Sequence, residues 1–366
     1  MSNKESLRTV FKELNAALGV SGHEQDVARL IIEQIKDHAD EVSISNTGNI
    51  VATKKGNKPG PTVAVVAHMD EVGYVVRNIL PSGFIKLDKV GTAPDGVATG
   101  RTVWISSKKI PGVIGTKPGH LQTPEEARAV VPIGRCFVDV GVSSAEEAKA
   151  LGIKIGDQVV IQQPYVEMSN TDLICTRAID DRIGCAIIVE LIKNLKKEDF
   201  AGTLLATFTV REEVGLIGAR NALFNYDVDY SIAIDTIPVA DTPDYNAAND
   251  LPIYMGKGPG FPVLEAYPAA VGMWHLIHPG VREFIENVAA EQKINLQTMT
   301  LAFAGYLTDA TSLAYVKDGV PTGVLAIPRR YSHSPVELFN INDAVDVHTM
   351  LHNMLVNNDK IKLSFI

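Results

Sequence analysis

Residues Val63-Ala-Val-Val-Ala67 are apolar at five successive positions, and the run closes on His68, Met69, Asp70 and Glu71. A strand apolar at every position, rather than at alternate ones, must be covered on both faces, as in a sheet with helices on either side. A second run, LLATFTV (204–210), leads just as abruptly into two adjacent acids, Glu212 and Glu213, after which Gly215 and Gly218 permit a tight turn into a helix. Neighbouring carboxylates repel, and folding gains nothing obvious by placing them there. The carboxyl ends of strands are, however, where open α/β sheets build their sites.

The rest of the chain fits around these two strands. Leu7, Val10, Phe11, Leu14 and Leu18 recur at helical spacing. Ser21 and Glu24 form a capping-box pattern before a second helix carrying Val27, Leu30, Ile31 and Ile35. Val42 and Ile44 begin a strand that turns at Asn46–Asn49 into IVAT. From about Gly73 to Thr171 the texture becomes Gly-, Pro-, Val- and Ile-rich with short β-like runs, which predicts a small β-barrel or sandwich holding one helix capped by Ser144 and Glu147. Helix and strand alternate again from Asp180: a helix over Arg182–Lys197, LLATFTV, a helix over Gly218–Phe224, and the strand SIAID ending on Asp235. A Gly/Pro-rich loop is expected from Pro238 to about Pro279. Its GKGPG (256–260) reads as a plain turn, because no strand-to-helix context with Lys-Ser/Thr accompanies it. VREFIENVAAEQ as helix, LQTMTLAF as strand, a helix from Asp309, the strand GVLAI and a last helix over Asn342–Leu355 complete the pattern. The predicted fold is α/β: a central mixed sheet flanked by helices, with residues 73–171 as a β-barrel inserted between catalytic segments 1–72 and 172–366.

Composition narrows function. A net charge of −9 over 366 residues argues against nucleic acid and anionic membranes, which require basic patches. The polar start MSNKESLR and the lack of any 18-residue apolar run predict a soluble, cytoplasmic protein without membrane contact. Three cysteines, Cys136, Cys175 and Cys185, are an odd number without CxxC spacing, so neither a disulfide framework nor a thiolate zinc site is expected.

Five candidate metal ligands lie beyond buried strands or at helix starts: His68, Asp180, Glu213, Asp235 and His333. Taken singly, each has an ordinary structural explanation; Asp180 in AIDDRIG is a natural helix N-cap. Together at the strand ends of one α/β domain they would repel strongly, and two divalent cations would neutralise them. Histidine with carboxylate and no cysteine suits Zn²⁺, Co²⁺ or Mn²⁺. The set divides into a bridging aspartate plus one acid and one histidine per metal. Asp70, two residues after His68, is placed to accept the other imidazole N–H.

AHMDEVG, AIDDR, REEVGLIGA, AIDT and YSHSPVE resemble the signature blocks of the M42 family of dinuclear metallo-aminopeptidases, over nearly the whole chain. The resemblance implies a zinc-exopeptidase-like fold with His68, Asp180, Glu213, Asp235 and His333 as ligands and Asp180 bridging. It further implies Glu212 as catalytic base, Asp70 as the partner of His68, and peptides with a free N-terminus as substrates. Homo-oligomers, with dimers building a dodecamer, are implied as well. The family's GGTDA block reads GYLTDA here (305–310), a change that near the substrate would alter pocket shape. The pocket for the first side chain is expected from Val239 to Trp274 and that turn. Three other readings remain at this stage. A co-catalytic deacylase or dipeptidase would use the same ligands. A glycosidase needs carboxyls about 5–9 Å apart and leaves the histidines unexplained, and intact Glu212 beside Glu213 argues against a non-catalytic module.

Overall fold

The computed structural model describes residues 3–268 and 273–365. Helices Asn3–Asn15 and Gln25–Ile35 come first, then strands β1 (Glu41–Ile44), β2 (Ile50–Lys55) and β3 (Lys58–His68). Strands β4 (Gly73–Ile79), β5 (Ile85–Val90), β6 (Arg101–Ile105), β7 (Ile110–Ile114), β8 (Val138–Asp139) and β9 (Gln158–Ile161) close a barrel in the order β4-β5-β8-β7-β6-β9. Beyond it lie β10 (Val166–Glu167), β11 (Leu173–Thr176), the helix Ile179–Asn194, β12 (Ala201–Thr209) and β13 (Tyr230–Pro238). Then follow β14 (Gly260–Ala266), β15 (Trp274–Leu276), β16 (Gln297–Thr300), β17 (Thr322–Arg330), β18 (Glu337–Asn340) and the helix Ile341–Val356.

The large sheet runs β1-β2-β12-β3-β13-β17-β18-β11-β10. Its four central strands, β12, β3, β13 and β17, are mutually parallel, and antiparallel pairs flank them on both sides. The apolar run in β3 does what its pattern demands. Val63, Val65 and Ala67 pack with Ile183, Ile187 and Leu191 of the helix Ile179–Asn194, while Ala64 and Val66 pack on the other face with Ala219, Leu223 and Ala310. Both faces are therefore dry, and the sheet's polar positions are left to the strand ends. The barrel has its own core of Tyr74, Val76, Leu87, Val103, Ile105, Ile114 and Val159. Its first and last strands pair, Tyr74 opposite Val159.

The predicted fold class is borne out, with local differences. Ser144 accepts from the Glu147 N–H as its capping box requires, but Ser21 does not cap its helix. Its hydroxyl donates to Asp70 instead, and Glu24 accepts from the Gly22 and Arg211 N–H groups. The stretch read as one loop from Pro238 contains β14 and β15. Pro262 and the surrounding glycines hid β14, which pairs with β17 only at Gly260 opposite Ala326. GKGPG is a turn. Gly256 and Gly258 take positive φ, and their N–H groups donate to Asp343, which fills the place an anion would take. Among the described residues no helix is long and apolar enough to cross a membrane. The three cysteines are unpaired.

Candidate metal centre

Parallel alignment carries the ends of β12, β3, β13 and β17 to one place. His68 is the last residue of β3, Glu212 and Glu213 lie just beyond β12, and His333 lies just beyond β17. Asp235 sits inside β13, whose pairing continues to Pro238. Asp180 approaches from the side, where the helix Ile179–Asn194 opens with a kink; its backbone and that of Asp181 are non-helical, and the peptide between them is cis. It does not act as the N-cap its sequence context suggests. Asp181 accepts from the Gly184 N–H instead, leaving the Asp180 carboxylate free to face the centre. Ala178, Arg211, Leu216, Tyr331 and His333 all hold left-handed backbone around these turns. Such unfavourable local conformation concentrates at functional sites.

The two oxygens of Asp180 look in different directions. Oδ1 is 3.2 Å from His68 Nε2, and Oδ2 is 3.3 Å from His333 Nε2. His333 Nε2 is also 3.4 Å from Glu213 Oε2, and His68 Nε2 is 4.0 Å from Glu212 Oε2. His68, Asp180 and Asp235 offer ligand atoms all within 4.8 Å of one another, and so do Asp180, Glu213 and His333. A third such group is His68, Glu212 and Glu213. Asp70 meets His68 with its main chain more closely than with its carboxylate: the Asp70 carbonyl lies 3.1 Å from His68 Nδ1. Its Oδ1 lies 3.5 Å from His68 Nδ1 and accepts from the Glu212 N–H, and its Oδ2 accepts from the Glu213 N–H and the Ser21 hydroxyl.

Electrostatics describe a centre short of positive charge. Burial raises the pKa of Glu212 and Asp235 well above the carboxylate range, and neighbouring acids add to the rise. Burial likewise pushes Glu213 up to about 7 and Asp309 up to about 6. Burial acts on Asp180 too, but Arg329, His333 and His68 overcome it and hold this carboxyl well below its usual value. For His68, burial works against protonation, yet Glu212, Asp180 and Asp70 together raise it. The residues fit bound divalent metal. Glu213 Oε1 is buried without any hydrogen-bond partner, a costly state for an acceptor, and the surrounding donors are nitrogen and oxygen only.

Several participants were given no role from the sequence, though Asp309 and Glu337 lie inside the GYLTDA and YSHSPVE blocks. Thr92, from the barrel segment, places its hydroxyl 2.6 Å from His333 Nδ1. Arg329 and Glu337 flank His333 in the chain and lie buried against Asp180. Asp309 accepts from Thr209 at the end of β12. Thr92 lies in no block that the sequence singled out. Beside Asp180, Glu213 and His333 opens a small solvent-connected pocket, walled on the barrel side by Tyr74, Val97 and Ile161. Of the expected pocket segments, Tyr306 reaches toward the centre by donating to the Thr236 carbonyl. Residues 269–272 of the Val239–Trp274 stretch lie outside the described residues.

The sequence profile of the M42 glutamyl aminopeptidases matches residues 48–350. The chain belongs to the M42 family. A lysyl aminopeptidase from Pyrococcus furiosus is 32% identical over 338 residues, 91% of this chain and 92% of that one. A TET aminopeptidase from a marine sediment archaeon of the Thaumarchaeota superposes with a TM-score of 0.89 at 30% identity, covering 98% of each chain. The TET1 peptidase of Pyrococcus horikoshii, which can assemble into a tetrahedron or a large octahedral shell, superposes at 0.83 with 28% identity, over 95% of this chain and 99% of its own. This M42 chain is thus a peptide hydrolase of the aminopeptidase type, in a family that depends on metal.

Proposed function

We propose that this M42 chain is a dinuclear metal-dependent aminopeptidase with Glu212 as general base. The observation that carries the reading is Asp180, whose two oxygens each face a different imidazole. His68, Asp180 and Asp235 would hold one ion and Asp180, Glu213 and His333 the other, with Asp180 shared. Zn²⁺ and Co²⁺ suit this donor set best, and Mn²⁺ is accommodated. When bound, two such ions polarise a carbonyl and lower the pKa of water.

The chain's own residues supply the rest. Glu212, only 8% exposed, lies over the His68 side of the centre. There it takes the proton of the attacking water and returns it to the leaving amine. Asp70 fixes the His68 ring and the backbone from which Glu212 and Glu213 extend. The excess of carboxylates favours a positively charged substrate end, which confines cleavage to peptides with a free N-terminus. A co-catalytic deacylase or dipeptidase would share the ligands, and the demand for a free amine separates the two. Native mass spectrometry should find two metals per chain, and free peptides should be trimmed residue by residue while N-acetylated ones resist. Acetylated peptides cleaved as fast as free ones would turn the assignment to the deacylase.

Assembly and location belong to the same proposal. Residues 73–171 are read as an inserted module between catalytic segments 1–72 and 172–366. Val113, Leu121, Val130, Val131 and Phe137 leave apolar surface on that module. Covering it between copies supports dimers that build a dodecamer. Unpaired thiols support residence in the cytoplasm.

A further inference from the structure

We infer that Glu337, acting with Arg329, is a positioning residue that locks the Asp180 and His333 loops into one unit. It rests on the reading of the centre as a two-metal site. Glu337 is the first residue of β18 and is buried. Its Oε2 accepts from the Ile179 N–H at 2.8 Å and the Asp180 N–H at 3.3 Å. Its Oε1 accepts from the His333 N–H at 3.0 Å and from Arg329 Nη1. Arg329 in turn extends Nη2 to Asp180 Oδ2 at 2.5 Å.

One carboxylate thus holds the backbone of two loops that approach the centre from different elements, and one guanidinium ties that carboxylate to the side chain of Asp180. The link runs in a closed circuit: Glu337 to the Asp180 main chain, Asp180 carboxylate to Arg329, Arg329 back to Glu337. Its effect is on orientation. With main chain and carboxylate both fixed, Asp180 must keep one oxygen toward His68 and the other toward His333. The half-site of Asp180, Glu213 and His333 draws on both clamped loops, whereas the half-site of His68, Asp180 and Asp235 draws on only one. Loosening the clamp therefore weakens the first of these more.

The test is a Zn²⁺ titration of metal-free protein against a chromophoric chelator, with a melting curve for each variant. Glu337→Gln keeps the size of the side chain but replaces one accepting oxygen by a donor, so either the backbone set or the Arg329 contact is lost. Arg329→Lys keeps the charge but cannot reach both carboxylates, and serves if Glu337→Gln fails to fold. Asp343→Asn is the comparator, since Asp343 is a buried acid that accepts from the Gly256 and Gly258 N–H groups and from no candidate ligand. One equivalent should weaken by about 10–100-fold in the first two variants, the usual effect of removing a ligand's support, while Asp343→Asn keeps wild-type constants even if it melts earlier. Wild-type constants in both clamp variants, or equal weakening in Asp343→Asn, would overturn the inference alone. A wild-type protein that binds no pair of metals would overturn the two-metal reading and the inference together.

Discussion

Glu212 and Glu213 are neighbours in the chain with different surroundings: one faces the His68 side of the centre, the other contacts His333. That divergence predicts different losses. Glu212→Gln should lower kcat by about 10²–10⁴-fold, the range for a general base, while native mass spectrometry still counts both metals. Glu213→Ala should lose about one equivalent of metal, because it removes a ligand. Retention of more than roughly a tenth of kcat in the first variant, or full metal content in the second, would mean that the roles are misassigned. Sequence made these residues visible because several charges fall at the ends of apolar strands in one α/β pattern, where together they would repel. The same logic could not find Thr92 or Ser21. A hydroxyl in a polar loop looks like any other, and only the fold brings these two to His333 and Asp70.

At the level of elements, the strands with uninterrupted apolar runs were legible, since only burial on both faces tolerates them. β14 and β15 were not: β14 begins at Gly260 and carries Pro262, β15 is only three residues long, and both are held at the sheet's margin. The barrel was legible as a texture, yet its contribution to the centre was invisible. Thr92 follows β5 directly, so the barrel supplies an orienting hydroxyl to a candidate ligand without supplying a ligand. Thr92→Val keeps the shape and deletes that contact. It should weaken metal binding by about tenfold, as removal of a histidine's outer partner does, and leave the melting temperature nearly unchanged because Thr92 is exposed. Unaltered metal affinity in a titration would show that the hydroxyl only touches the ring.

On the scale of the whole molecule, the exposed apolar residues of the barrel predict that one chain is not the working unit. Light scattering at micromolar concentration should find a particle many times the 39.5 kDa of the chain. A monomer with full peptidase activity would remove the case for assembly. The pairing of β4 with β9 has a further effect, on the entropy of closing the centre. His68 and Asp180 are 112 positions apart, and as a free loop that separation would have to be closed by chance encounter. A folded barrel returns the chain beside the point where it left, Val159 against Tyr74, so most of the intervening residues no longer count as slack. The free length falls to roughly a quarter, which at about 0.6 kcal/mol per halving lowers the closure entropy by about 1.2 kcal/mol. The barrel interrupts the sequence of the large sheet while barely lengthening the path between two candidate ligands.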